Sequence, residues 1–251
     1  MTLPFPLQAL ALFVIGAFTG VVNVLAGGGS LLTLPLLIFF GLPATVANGT
    51  NRVGILFQSV TAIGGFRRQK LLPVGLALLC TVPAVVGSYF GARLAVDIDD
   101  ALFQRLLAFI MLGVLAFMLL DPMKKHRVEQ VHFSPLRTAV LLISFFVIGI
   151  YGGFVQAGVG FLIISGLLAH GLDLVRINAV KVFVILIFTI VALAVFVVHG
   201  QVDWPLGLAL AAGNAAGGWL GTHMAIKKGH DWIKKVVSIT VVMFALKLLF
   251  G

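Results

Sequence analysis

Apolar runs about as long as a bilayer is thick alternate along this chain with short polar loops. The first run extends from about Leu7 to Leu25. Ala26-Gly27-Gly28-Gly29-Ser30 then breaks the pattern at a depth where lipid is expected. The apolar piece that follows, Leu31 to Phe40, is too short to cross about 30 Å alone. After a turn at Gly41-Leu42-Pro43, the pattern predicts helices over about Thr45 to Gly65, Pro73 to Ala95 and Leu102 to Leu120. A basic loop (Phe66 to Lys70) and an acidic loop (Asp97 to Asp100) separate them. The longest polar stretch is Asp121 to Arg137.

The same order then recurs. A helix is expected over about Thr138 to Val155, a break at Gly158-Val159-Gly160 and a short piece from Phe161 to Ala169. Longer helices follow over Leu174 to Val198 and Trp204 to Ile226, and a last one ends at Phe250. Gly41 and Asn48 match Gly171 and Asn178 at an offset of 130 residues. Gly87, Gly91 and Ala95 match Gly217, Gly221 and Ala225 at the same offset, and Gly16 and Gly20 match Gly149 and Gly153 at 133. The expected organisation is a first transmembrane repeat at 1–120, a cytoplasmic basic linker at 121–137 and a second repeat at 138–251.

Composition fixes the solvent. Of the 251 residues, 61% are hydrophobic and 10% charged, and the mean hydropathy is +1.16. A soluble domain carries about 25% charged residues. Barrel strands would appear as alternating runs of about ten residues. The expected fold is therefore an all-α, polytopic transmembrane bundle with eight to ten membrane segments, counting the short broken helices. The net charge of +9 lies in short loops and shows no basic stripe interleaved with aromatics, which argues for membrane orientation and against nucleic acid. Cys80 is the single cysteine, so no intrachain disulfide forms.

Positive loops belong on the cytoplasmic side. Placing Arg67–Lys70, Lys124–Arg137 and Lys227–Lys228 there puts Asp97–Asp100 and Asp203 outside. With an odd number of segments per half, the halves are inverted and both termini lie outside. Arg93, Arg105 and Lys247 are exceptions near the outer side, where long side chains snorkel.

Gly16-x-x-x-Gly20, Gly87-x-x-x-Gly91, Gly149-x-x-x-Gly153 and Gly217-x-x-x-Gly221 read as helix-packing seams. The two glycine breaks have two readings. One is an ordinary tight turn. The other is a transporter site, because paired interrupted segments in matching halves bring helix N-termini to a solute. Under that reading Gly28, Gly29, Ser30, Gly158, Gly160 and Gln156 are candidate binding residues. Arg52 is the only charged residue between Met1 and Phe66, and Lys181 lies in the equivalent helix of the second half. Asn48 and Asn178 stand one turn before them on the same faces. No membrane Asp or Glu neutralises either cation, so two explanations stay open: a bound anion, or snorkelling to the interface. His170, His199 and His223 are weaker candidates for a proton relay. No metalloprotease, nucleophile-elbow or phosphate-loop motif occurs, and no Cys/His cluster has metal spacing. A non-enzyme without metal or cofactor is expected, with a proton as the candidate coupling ion. An anion channel would use the same parts.

Gly27-Gly28-Gly29-Ser30-Leu-Leu-Thr-Leu-Pro35-Leu-Leu37, followed by Gly41-Leu-Pro-Ala-Thr-Val-Ala47-Asn48, resembles the TauE/SafE sulfite exporter family, also called TSUP. Gly158, Gly160 and Gly171 fit the weaker second copy, in which Val159 replaces the middle glycine and the proline is missing. The resemblance covers the whole chain in layout. It implies transport of a small sulfur-containing or organic anion (sulfite- or sulfonate-like) across the cytoplasmic membrane, commonly as export, with import of a related anion such as thiosulfate as the alternative.

Overall fold

The computed structural model describes residues 4–120, 134–168 and 173–227. Nine helices lie among them: α1 (Phe5–Leu25), α2 (Ser30–Phe39), α3 (Ala44–Arg68), α4 (Val74–Val96), α5 (Asp100–Leu120), α6 (Pro135–Phe154), α7 (Val159–Leu168), α8 (Leu174–Val198) and α9 (Trp204–Lys227). Among the described residues, α1, α4, α6 and α8 are long and apolar enough to cross a membrane. The polytopic all-α expectation therefore holds. The linker from Asp121, the turn at Gly171, His170 and the final helix to Phe250 lie outside the described residues.

Local chemistry sets the helix ends. Asp173 caps α8, accepting from the Val175 and Arg176 amides at 3.1 and 3.0 Å, and Ser134 caps α6 through the Arg137 amide. Asp99 and Asp203 accept in the same way from Leu102 and Leu206. Pro43 and Pro73 immediately precede α3 and α4, where a missing amide hydrogen costs nothing. At both breaks the chain turns through a glycine in the left-handed region, Gly27 at φ +84° and Gly158 at φ +74°. Helix α3 runs one turn beyond the expected Gly65, so Arg67 and Arg68 extend from its last turn. At 1.5 Å per residue, the ten-residue α2 and α7 reach about half the hydrocarbon thickness.

Polarity is distributed inside out. Phe5, Leu10, Val82, Leu94, Ile143 and Val147 are exposed on the outer faces, whereas Asn48, Thr50, Asn51 and Arg52 are fully buried. That arrangement suits lipid as the solvent, because polar side chains there must face protein.

Two close-packed seams join the halves. α1 lies along α9, and α4 along α6. A Cβ on Gly91 would fall 1.9 Å from the Ile150 carbonyl, and one on Gly153 would fall 2.1 Å from the Ser88 carbonyl. Gly20 and Gly217 meet in the other seam, where a Cβ on Gly20 would lie 3.0 Å from the Gly217 Cα. The small-residue spacings are thus packing seams, as expected.

Contact register gives the helix directions. α1 and α9 run parallel: Gly16 faces Leu210, and Gly221 faces Val21. α4 and α6 also run parallel, with Ala84 on Gly149 and Ser88 on Gly153. α3 follows α9, with Gly54 at Leu210 and Gly65 at Thr222. α8 follows α4, as the Ser88–Phe188 and Arg93–His199 contacts show. α3 opposes α8, since Gly49 meets Phe196 while Ile63 and Arg67 share a cleft with Phe183.

Charge is then biased by end, with Asp173 beside Arg176 and Arg93 beside His199 as exceptions. Thr45 binds Asp100, the Asp203 amide binds Thr50, and Gln201 binds the Val96 carbonyl, so the loops carrying Asp97–Asp100 and Asp203 share one end. Arg67, Arg68, Lys70, Arg137 and Arg176 gather toward the other. Gly91→Ala is expected to lower stability by about 1–3 kcal/mol, the usual cost of overpacking. Gly113, where a Cβ would meet nothing within 4 Å, should instead gain slightly as Ala. Thermal unfolding in detergent checks the pair, and equal responses would contradict the seam.

Candidate functional site

A helix that ends inside a packed bundle, away from water, leaves its last carbonyls without partners and concentrates negative dipole there. α6 ends in this way at Phe154, and α3 supplies the remedy. Arg52 Nη2 donates to the Gly153 carbonyl at 2.6 Å, and Nη1 donates to that of Gly152 at 3.0 Å. Asn48, one turn earlier on the same face, donates Nδ2 to the Phe154 carbonyl at 2.8 Å. Tyr151 donates its hydroxyl to the Ala157 carbonyl at 2.5 Å, just past the break. The guanidinium also lies 4.7 Å from the Phe196 ring centroid, a cation–π contact.

The second half repeats the device with the partners exchanged. α1 ends at Leu25, and Lys181 on α8 donates Nζ to the carbonyls of Asn23 at 3.1 Å and Val24 at 2.7 Å. Its third acceptor is Asn178 Oδ1 at 2.7 Å. Each long helix therefore neutralises the broken helix of the opposite half. Arg52 and Lys181 are both 0% exposed, which removes the snorkelling reading. Their cationic heads are held by backbone carbonyls, and no carboxylate among the described residues pairs with either.

The two breaks touch. A Cβ on Gly27 would lie 2.5 Å from the Gly160 Cα, and one on Gly160 would lie 2.4 Å from the Gly27 Cα. Only glycine permits that crossing. It brings the start of α2, at Gly28, Gly29 and Ser30, against the start of α7, at Gly158, Val159 and Gly160. Both first turns carry amides that their own helices leave unpaired. Gln156 joins the groups: its Oε1 lies 3.5 Å from Arg52 Nη1, and its Nε2 donates to Thr189 at 2.6 Å. Every candidate binding residue of the sequence thus belongs to one of the two capped ends or to the crossing between them.

Other polar residues at the site carry no such sequence signal on their own. Asn23 donates Nδ2 to Gln58 at 3.1 Å and so occupies in the first half the place of Gln156 in the second. The 133-residue offset that relates Gly16 to Gly149 also relates Asn23 to Gln156, and is a usable signal. Thr33, in the first turn of α2, donates to Asn51 Oδ1 at 2.5 Å. Four buried polar atoms of α3 have no partner: Asn48 Oδ1, Asn51 Nδ2, Arg52 Nε and Ser59 Oγ. Three of these are hydrogen-bond donors, which suits an oxyanion better than a cation. His199 meets Arg93 at 3.4 Å near one end, and His223 bonds the Trp219 carbonyl on the outer face, so neither reaches the crossing. Cys80 is a buried free thiol. Among the described residues no three His, Cys, Asp or Glu side chains gather as a metal site.

Comparison with known proteins identifies the family. The family model described as "Sulfite exporter TauE/SafE" matches residues 12–248. A "Probable membrane transporter protein" of Haemophilus influenzae is 28% identical, over 95% of this chain and 93% of its own length. A "Probable membrane transporter protein ORF9" of a Sinorhizobium species is 27% identical over 95% and 91%. The "Probable membrane transporter protein YfcA" of Escherichia coli K12 is 26% identical over 98% and 91%. No solved structure matches the chain. The family model covers nearly the whole chain, whose outer faces are apolar, and the chain belongs to the TauE/SafE sulfite exporter family of membrane transporters.

Proposed function

We propose that this transporter carries a small sulfur-containing or organic anion, of the sulfite or sulfonate class, out across the cytoplasmic membrane by a secondary mechanism. The observation that carries the reading is the pair of membrane-buried cations, Arg52 and Lys181, without acidic partners at the crossing of two glycine breaks. The anion would sit beside that crossing, with Arg52, Asn48 and Gln156 on one flank and Lys181 and Asn178 on the other. Gly28, Gly29, Ser30, Gly158 and Gly160 would supply backbone amides. Arg52 spends both terminal nitrogens on α6 carbonyls and keeps Nε unpartnered, which leaves one edge of the guanidinium for an oxyanion. The family description and the first-half glycine motif support the sulfur-containing class.

The two halves, 1–120 and 138–251 with the basic linker 121–137 between them, are proposed to form an inverted repeat. Helices α1, α3 and α9 run one way, and α4, α6 and α8 the other. Each matched pair (α1 with α6, α3 with α8, α4 with α9) therefore has opposite directions. Inversion lets one half rock against the other and expose the crossing to either side in turn. A proton gradient is the proposed driving force.

Purified protein titrated with sulfite, thiosulfate, sulfoacetate, taurine and non-sulfur anions is expected to bind a sulfur oxyanion best. Arg52→Ala should weaken that binding by more than about tenfold, the loss of a charge-assisted bond. Arg52→Lys should recover part of it, since a point charge lacks the planar fork. Lys181→Ala should act in the same direction but less. If folded Arg52→Ala protein, verified by its thermal transition, binds and moves the anion normally, the site is elsewhere. The inverted arrangement places the C-terminus outside, so a periplasm-active reporter should work when fused after Gly251. Activity of a cytoplasmic reporter there would overturn the inversion.

A further inference from the structure

Two clefts on the flanks of the bundle are copies of each other. One, of about 420 Å³, opens between α3 and α9 at the basic end. The other, of about 460 Å³, opens between α8 and α4 at the acidic end. An offset of 130 residues relates Tyr89 to Trp219, Arg93 to His223 and Ala194 to Gly64. Both open outward: Trp219 is 55% exposed and Tyr89 47%. Each carries one arginine and one histidine, and they differ in where the arginine sits and what it contacts. Where the acidic-end cleft has Val198, the basic-end cleft has Arg68, which extends from the last turn of α3 with no acidic partner among the described residues. In the acidic-end cleft Arg93 is already shared with His199 at 3.4 Å.

The geometry points to the basic-end cleft as a binding site for an anionic phospholipid, with phosphate on Arg68 and an acyl chain in the groove below. Gly64 forms the groove floor, and a Cβ there would meet nothing within 4 Å. Val60 and the Trp219 ring form the apolar walls. His223 bonds the Trp219 backbone carbonyl through Nδ1, which sets its ring against the indole at 4.6 Å between centroids with the planes tilted by 51°. An outward-facing groove between membrane helices, with an aromatic wall and, at its basic end, an arginine without an acidic partner among the described residues, fits an acidic lipid on the side to which positive loops orient. This site is separate from the crossing of the breaks and does not depend on the transported solute.

Native mass spectrometry of the full-length protein, titrated with equal phosphatidylglycerol and phosphatidylethanolamine, tests it. Wild type is expected to prefer phosphatidylglycerol by about fivefold, the effect of one basic residue near an anionic headgroup. Arg68→Gln should abolish the preference, and Gly64→Leu should reduce the retention of both lipids. Arg137→Gln, an exposed change at the same end, should leave the preference intact. No preference in wild type, an unchanged preference in Arg68→Gln, or an equal loss in Arg137→Gln would overturn the assignment. So would a dimer that replaces the lipid adducts and is lost in Gly64→Leu, since the groove would then belong to a second copy.

Discussion

A peptide carbonyl left unpaired away from water costs several kcal/mol, and this chain ends two helices at breaks buried inside the bundle. The rest of the structure follows from how those ends are satisfied. Water is a poor solution in a packed bundle, and a nearby donor on the same helix would restore the helix and erase the break. The chain uses a fixed cation from the opposite half: Arg52 for α6 and Lys181 for α1. A cation answers both the missing hydrogen bonds and the negative dipole of a helix C-terminus. It also leaves net positive charge beside two helix N-termini.

The exchange of caps ties the halves together more specifically than apolar contact could, because lipid tails compete equally well for apolar surfaces. Backbone approach at the glycine seams carries the packing, with α1 on α9 and α4 on α6. The caps then fix how far the broken helices reach, and Gly27 and Gly160 let them cross. Asn48 and Asn178 support the cations from one turn away, by different means. Asn48 adds its own donor to the Phe154 carbonyl, whereas Asn178 accepts from Lys181. The substitution of ammonium for guanidinium between the halves is matched by this change in amide role, since an ammonium has three donors to place and Asn178 takes the third.

Much of this is legible in the sequence because lipid imposes a simple pattern. Helix α8 begins and ends where its apolar run does, and α2 and α7 follow from glycine breaks and short length. Arg52 and Lys181 stand out because a charge among apolar residues is rare. What they touch is not legible. Gly152 and Gly153 accept through backbone oxygens, which carry no residue-type signal and lie 100 residues or more from Arg52. Without that contact, snorkelling stays open, and full burial of both cations closes it. Asn23, Asn51 and Thr33 are hidden for a related reason: an amide or hydroxyl in an apolar run reads as an ordinary helix–helix hydrogen bond until its position relative to the break is known. The extension of α3 through Arg68 is masked because Gly64-Gly65 looks like a stop signal, although here those glycines make room for Thr222 and an open groove.

The central claim is that each cation holds the broken helix of the other half. Hydrogen–deuterium exchange on reconstituted protein tests it most directly, comparing wild type with Lys181→Met and Arg52→Met. The account predicts faster exchange around residues 23–31 in Lys181→Met and around 152–161 in Arg52→Met, with the other break little changed in each. Uniform loosening of both breaks in either variant, or unchanged exchange at the end each cation caps, would contradict it.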